Sequence, residues 1–292
     1  MSNLTKSIVW ILIKRNYKFW TCLSIVLFII MLALLGPYST PYKPNDVVTP
    51  RLPPQSSHPF GTDNLGYDVF SASVYGLRVS LMVGFVAAVV ATTVGVTLGL
   101  IAGLKGGIVD SIIDSITNIL IAIPTVFIMI IVGTFYVTGA GAGTARELLN
   151  MIFIGTTIGL LMWHWTARAV RSQVIALKTS DYVAVSILSG NSSFKVLIKD
   201  ILPNIASYIL LVFVIQLANG LATSVTLEFL GIKASEWSLF ARVMQWLQMG
   251  ALIAHVWWAW LIPGALIVML IASLYIIVLA LDEVFNPRLR RI

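Results

Sequence analysis

The sequence predicts an all-α, polytopic membrane protein of about six transmembrane helices. Three observations carry that prediction. Apolar residues make up 58% of the 292-residue chain, charged residues only 11%, and the apolar residues gather into long runs. A soluble domain carries roughly 25% charged residues, and a globule with so little polar surface could not cover itself in water. A run of about 20 apolar residues is the length a helix needs to cross the hydrocarbon of a bilayer. Mean hydropathy is +0.93.

The first run is Trp20 to Gly36. Basic residues precede it (Lys14, Arg15, Lys18), as in a signal peptide, but the run is long and no small-x-small cleavage site precedes Pro37, so it reads as an uncleaved first span. Residues 37–75 are polar and proline-rich, which places them outside the bilayer as a loop or short amphipathic pieces. Further spans are expected at Val79–Gly103, Ile112–Val137, Met151–Ala167, Asn204–Leu227 and Trp258–Leu281. The run Met249–Ile253 is too short to cross.

Small residues recur along the second span at Ser80, Gly84, Ala88, Gly95, Gly99 and Gly103. Such a seam lets another membrane helix approach closely. Pro124 and Pro263 each remove a backbone donor from a span, which predicts kinks there.

Formal net charge is +7. The basic residues flank apolar runs, so they set topology rather than bind nucleic acid. With the N-terminus inside, thirteen Lys and Arg fall on the cytoplasmic side (Lys6, Lys14, Arg15, Lys18, Lys105, Arg168, Arg171, Lys178, Lys195, Lys199, Arg288, Arg290, Arg291) and five outside (Lys43, Arg51, Arg146, Lys233, Arg242). Arg78 lies at a boundary. This asymmetry predicts a plasma-membrane protein with both termini cytoplasmic.

Chemistry of its own is sparse. Cys22 has no second cysteine to pair with, and no G-x-x-x-x-G-K-[ST] phosphate loop occurs. His58, His164 and His255 lack metal-ligand spacing, and His164, between Trp163 and Trp165, reads as interfacial packing. Asp110 and Asp114 share one face at the start of the third span, where helix capping and the macrodipole favour carboxylates; a proton or ion site is the alternative. Neither an enzyme nor a resident cofactor or metal is expected. The absence of carboxylates from the middle of the spans argues against an ion-coupled transporter, the runner-up from another class. A structural scaffold is a third possibility.

The polar stretch 168–203 is the longest cytoplasmic loop. Ser180 can cap a helix beginning at Asp181, and Gly190 can end it. The segment between, Asp181-Tyr182-Val183-Ala184-Val185-Ser186-Ile187-Leu188-Ser189, is apolar around most of its circumference. A helix this apolar in the cytosol needs a cover. Either its own neighbours or a partner protein supplies it.

This loop is similar to the cytoplasmic loop of ABC importer permeases, whose pattern runs Glu-Ala-Ala, three residues, Gly, nine residues, a hydrophobic residue, one more, then Leu-Pro. Gly190 and Leu202-Pro203 match. Ala184-Val185-Ser186 replaces the Glu-Ala-Ala, and Asp200 replaces the hydrophobic residue. The flanking Ala167-Arg168, Val170-Arg171, Gln173-Val174 and Asp181-Tyr182-Val183 also fit.

A second stretch, His58-Pro59-Phe60-Gly61-Thr62-Asp63-Asn64-Leu65-Gly66, followed by Asp68-Val69-Phe70, resembles the external segment of the C-type permeases for dipeptides, oligopeptides and nickel. The likeness continues through Tyr75-Gly76, Arg78-Val79-Ser80-Leu81, Gly103, Gly106-Gly107, Asp110, Phe229-Leu230-Gly231, Pro263-Gly264 and Asn286-Pro287-Arg288-Leu289. It covers residues 58–290 and the first span. After Gly231 the chain departs: Ile232-Lys233-Ala234-Ser235-Glu236-Trp237-Ser238 stands where the family has a proline-rich stretch before Ser-Trp-Gly.

The resemblance implies the transmembrane permease subunit of an ATP-binding-cassette importer. Residues 1–57 would hold the cytoplasmic N-terminus, the first span and the start of the external loop. Residues 58–292 would form a five-span core with a coupling loop at 168–203. A second homologous permease would complete the pathway, two cytoplasmic ATPase subunits would dock on the loops, and an extracellular substrate-binding protein would deliver cargo. Asp181, Tyr182, Val183, Ala184, Val185, Ile187, Gly190, Leu202 and Pro203 are the expected ATPase-coupling residues, with Tyr182, Val183, Val185 and Ile187 as contacts. The family's cargoes are dipeptides and oligopeptides first, with oligosaccharides or nickel complexes as alternatives. Trp237, Trp246, Trp257, Trp258 and Trp260 read as an interfacial aromatic belt, and Trp237 is the candidate contact at the external mouth.

Overall fold

A computed structural model describes residues 16–43, 46–137 and 144–285. The N-terminal Lys6, Lys14 and Arg15 and the C-terminal Asn286-Pro287-Arg288-Leu289, Arg290 and Arg291 lie outside the described residues. Among those described there are ten α-helices and one π turn, and the strand pairing is limited to isolated bridges, Val47 with Tyr67, Gln55 with His58 and Thr62 with Asp68.

Five helices are long and apolar enough to cross a membrane: α1 (Tyr17–Ser39), α2 (Val69–Lys105), α5 (Thr144–Lys178), α8 (Leu202–Phe229) and α10 (Trp257–Phe285). The pair α3 (Gly107–Ala122) and α4 (Thr125–Val137) supplies the sixth crossing, bent by 79°. Pro124 is the cause. It pushes Ile123 into extended backbone, φ −87 and ψ 124, because the proline ring excludes the helical region for the residue before it. The expected kink is a full break. Gly107 begins at the Lys105 end of α2, and a Cβ on Gly133 would meet Ile232 at the other end of the molecule, so the pair does cross. Pro263, by contrast, leaves α10 unbroken.

α2 is the central helix, packed along α5 and against α8, α1 and α9 (Leu239–Gln248). Lipid is as apolar as leucine, so burial of hydrocarbon does not drive helices together in a membrane; close van der Waals packing must. The small-residue seam provides it. A Cβ on Gly95 would lie 2.7 Å from the Trp163 carbonyl, and one on Gly99 2.6 Å from that of Ala167. On the facing side, Gly155 and Gly159 of α5 approach the carbonyls of Val83 and Ala87. Glycines on both helices thus interlock. Gly84 serves the same end against Leu221 of α8.

The third span's carboxylates have partners. Arg171 of α5 donates through Nε and, at 2.6 Å, through Nη2 to Asp110, while Arg168 donates to Asn118 at 2.7 Å and reaches Asp114 at 3.5 Å. The cap of α3 is Gly106, without a side-chain bond. Asp110 lies in the first turn of α3, where the dipole favours a carboxylate, but neither aspartate makes the capping bond; both tie α3 to α5. His164 is buried by packing.

Candidate functional site

Two regions, at opposite ends of the spans, carry the features expected of a transport subunit. The first lies between α5 and α8. It is shorter than the polar stretch 168–203, because α5 continues helically to Lys178, whose Nζ donates to the last-turn carbonyl of Leu104 at 2.8 Å. Helix α6 (Asp181–Leu188) follows a two-residue link, then α7 (Ser193–Val196), a π turn (Leu197–Ile201) and α8.

Ser180 occupies the N-cap position of α6, but its hydroxyl donates back to the Leu177 carbonyl at 2.5 Å and makes no bond to the α6 amides. Gly190 ends the helix with φ +77 and open space where a Cβ would be. The left-handed backbone there is the reason for glycine.

Val183 is fully buried, in a cluster with Val170, Val174, Val196, Ile201 and Ile205. Its apolar surface is therefore satisfied within the chain, which corrects its expected role as a partner contact. The remaining apolar residues point away: Tyr182 is 44% exposed, Val185 61%, Ile187 50% and Leu188 86%. α6 is pinned by one valine and offers the rest of its apolar surface outward. Leu188, the most exposed of them, was missing from the contacts expected from sequence. Pattern alone does not tell which side of an all-apolar helix its own chain covers.

Leu202 and Pro203 open α8, with Pro203 in its first turn. Proline cannot donate to the carbonyl four residues back, that of Lys199, and its ring crowds that oxygen. The helix relieves this by widening into the π turn, in which the Leu202 amide reaches back to Leu197. The Leu-Pro pair is thus a geometric device.

The second region is a cap at the other end, built from residues 46–68 and α9. Here the polar residues of the His58–Asp68 stretch each have a physical task. Asp63 is buried; its Oδ1 accepts the amides of Leu65 and Tyr67, and its Oδ2 accepts the indole N–H of Trp246 at 2.6 Å. Thr62 accepts the Leu52 amide and donates to the Thr49 carbonyl, both at 2.8 Å. Trp258 donates to the Thr62 carbonyl and Asn64 to that of Met249. Asp68 caps α2 through the Ser71 amide and bonds His58, which stacks on Tyr42. Gly66, at φ +90, lets the loop pass under the Val48 carbonyl, 2.1 Å from where a Cβ would sit.

Trp246 is fully buried and hydrogen-bonded, and Trp258 is tied to the loop. Burial takes Trp246 out of an interfacial belt, which corrects that expectation; Trp258 is half-buried, and Trp257 is 48% exposed. Trp237 is half-buried. The guanidinium of Arg242 lies 3.9 Å over its ring and 5.6 Å from the Tyr67 ring, and donates to Gln245 at 2.8 Å. Burial lowers the pKa of Arg242 from the ordinary arginine value, against the pull of Asp63 and Tyr67. One face of Trp237 is therefore committed to a cation–π contact.

Sequence reasoning missed Glu228. It sits in the last turn of α8, buried, where it accepts from Ser224 and, at 3.1 Å, from the Ala241 amide in the first turn of α9. A carboxylate at a helix N-terminus meets unpaired amides and the positive end of the dipole. The partner helix is 13 residues on, beyond any local pattern.

Comparison with known proteins agrees with this arrangement. Residues 95–291 match the family model described as binding-protein-dependent transport system inner membrane component. Residues 7–54 match the N-terminal TM domain of oligopeptide transport permease C. The dipeptide transport system permease protein DppC of Bacillus subtilis is 30% identical over 288 residues, covering 97% of this chain and 85% of that protein. A putative peptide transport system permease protein of Brucella abortus is 29% identical over 285 residues, 95% of this chain and 90% of that one. Another putative peptide permease protein of Brucella abortus is 27% identical over 261 residues, with coverage of 87% and 82%. With a transmembrane bundle interlocked by small residues, an apolar helix offered at one end and a hydrogen-bonded cap at the other, the chain belongs to the inner-membrane permeases of binding-protein-dependent ABC importers.

Proposed function

We propose that this chain forms half of the translocation pathway of an importer for di- or oligopeptides. A second homologous permease would complete the pathway, two ATPase subunits would sit at the α6 end, and a substrate-binding protein would dock at the cap. Hydrolysis would belong to the ATPases and this chain would carry no catalysis. Both termini would be cytoplasmic: Lys18, Lys105, Arg168, Arg171, Lys178, Lys195 and Lys199 lie at the α6 end, against Lys43, Arg51, Arg146, Lys233 and Arg242 at the cap, the bias that retains an end in the cytosol. Peptides are favoured as cargo by the peptide-transport names of the relatives. Oligosaccharides or nickel complexes are the alternatives, since the segment 232–238 departs from the family pattern. Trp237 is placed at the external mouth in this reading.

The observation that carries the coupling role is α6 itself: a helix with Val183 as its one buried apolar anchor, with Tyr182, Val185, Ile187 and Leu188 facing outward and a left-handed Gly190 at its end. Those side chains would seat in a groove on the ATPase, with Asp181 and Ala184 beside them and Leu202 and Pro203 fixing the exit into α8. Replacing Gly190 by valine forces a β-branched residue to φ +77 and should tilt α6. Stimulation of ATP hydrolysis by cargo-loaded binding protein should then fall sharply, with the chain still inserted and assembled. Full stimulation in that variant would refute the coupling role.

A further inference from the structure

Two departures of the loop from the permease pattern meet in space. Ser186 stands where the pattern has alanine and Asp200 where it has a hydrophobic residue. The Ser186 hydroxyl donates to Asp200 Oδ2 at 2.6 Å, and Asn191 Nδ2 donates to Ser186 Oγ at 3.0 Å. Asp200 lies in the π turn, and Asn204 of α8 donates to its carbonyl at 2.6 Å. All three clasp side chains are half-buried.

We propose that Ser186, Asn191 and Asp200 form a polar clasp that sets the angle of α6 against the start of α8, and so act as positioning residues for energy coupling. The inference rests on the coupling role proposed above. α6 has eight residues and one buried anchor, Val183. A single apolar contact fixes a point on a helix but leaves it free to swivel about that point. The clasp adds a second point, one turn along from Val183, and a hydrogen bond to a carboxylate is stronger and more directional than one between neutral groups. The extra residue of the π turn matters too. An insertion rotates the following residues by about 100° around the helix axis, so Pro203, through the π turn it imposes, governs where Asp200 points relative to α6. A change of angle at α6 would then pass into α8, a membrane-crossing helix, through one short bond.

The measurement is stimulation of ATP hydrolysis by the binding protein, isolated with the cargo it carries from the cell, on the full complex in nanodiscs. The variants are Ser186→Ala, Asp200→Leu, the double variant, Asp200→Asn and Gly190→Val. Membrane abundance and co-purification of the ATPase serve as controls. If the clasp positions α6, Ser186→Ala and Asp200→Leu each lower stimulation about fivefold. The double variant is no worse than the poorer single one, because both break the same bond. Asp200→Asn keeps an acceptor for the serine hydroxyl and retains most of the stimulation. Independent, additive losses, or no loss in either single variant while Gly190→Val is impaired, overturn the clasp and leave the coupling role standing. Absence of stimulation in the unaltered chain, or its persistence in Gly190→Val, overturns the coupling role and the clasp with it. Should Asp200→Asn, which keeps an oxygen acceptor for Ser186, fail as badly as Asp200→Leu, the hydrogen bond is not what Asp200 contributes and the clasp account is wrong.

Discussion

Gly99→Ala is the sharpest test of how α2 and α5 hold together. The added Cβ would lie 2.6 Å from the Ala167 carbonyl oxygen, 2.9 Å from Val170 Cβ and 3.2 Å from Ala167 Cα. An ordinary carbon–oxygen contact is about 3.3 Å, so the helices must part by about 0.7 Å at that point. Two of the three obstructing atoms are backbone, so no side chain can swing aside. A gap of that size forfeits a quarter to a half of each dispersion contact it opens, and the neighbouring contacts at Gly95 and Gly103 open with it. Overpacking of this kind costs about 1–3 kcal/mol, a fall in melting midpoint of about 2–6 °C if a chain of this size scales as soluble domains do. The assay is thermal unfolding of the purified chain in one detergent, followed by tryptophan fluorescence. Gly264→Ala in α10 is the control: nothing lies within 4 Å of its Cβ, so it should be neutral or slightly stabilising, since alanine gains about 0.5–1 kcal/mol over glycine in a helix. If Gly99→Ala melts at or above the parent, close approach at the seam is not what stabilises the bundle.

Asp63→Ala strips the acceptor from two backbone amides and the Trp246 indole, at a cost of about 2–4 kcal/mol for the buried donors left unpaired; the cap should loosen and tryptic cleavage after Arg51 should speed up by at least about tenfold, and an unchanged rate would show that other bonds suffice. In a Cys22→Ala background, a cysteine at Gln55 should react with a membrane-impermeant maleimide on intact cells and one at Leu188 only after lysis; the reverse pattern would invert the proposed topology. Trp237→Ala should reduce uptake of a radiolabelled dipeptide beyond any loss of membrane abundance; a fall merely in proportion to abundance would leave the ring as a packing partner of Arg242.

The sequence by itself determined most of what depends on the solvent and on local backbone rules, though not that Pro263 leaves α10 unbroken or that Ser180 leaves the α6 amides uncapped. Six apolar runs of spanning length, the excess of Lys and Arg on alternate loops, the glycine seam and the left-handed Gly190 follow from what lipid and φ permit, and each is legible within a window of one helix. The two motif stretches, 58–70 and 181–203, identified the family for the same reason: they are contiguous. Tertiary structure decided what each residue faces. Asp110 and Asp114 look like a helix N-terminal signature, yet their partners are arginines 61 and 54 residues away. Trp246 looks like a belt residue until Asp63, 183 residues earlier, takes its N–H. Val183 and Val185 are equivalent in an apolar octapeptide, and only packing against α5, α7 and the π turn buries the first and leaves the second at 61% exposure. Serine for alanine at 186 and aspartate for an apolar residue at 200 read as two separate departures. The π turn forced by Pro203 brings them within a hydrogen bond of each other, and such a juxtaposition exists only once the chain has folded back on itself.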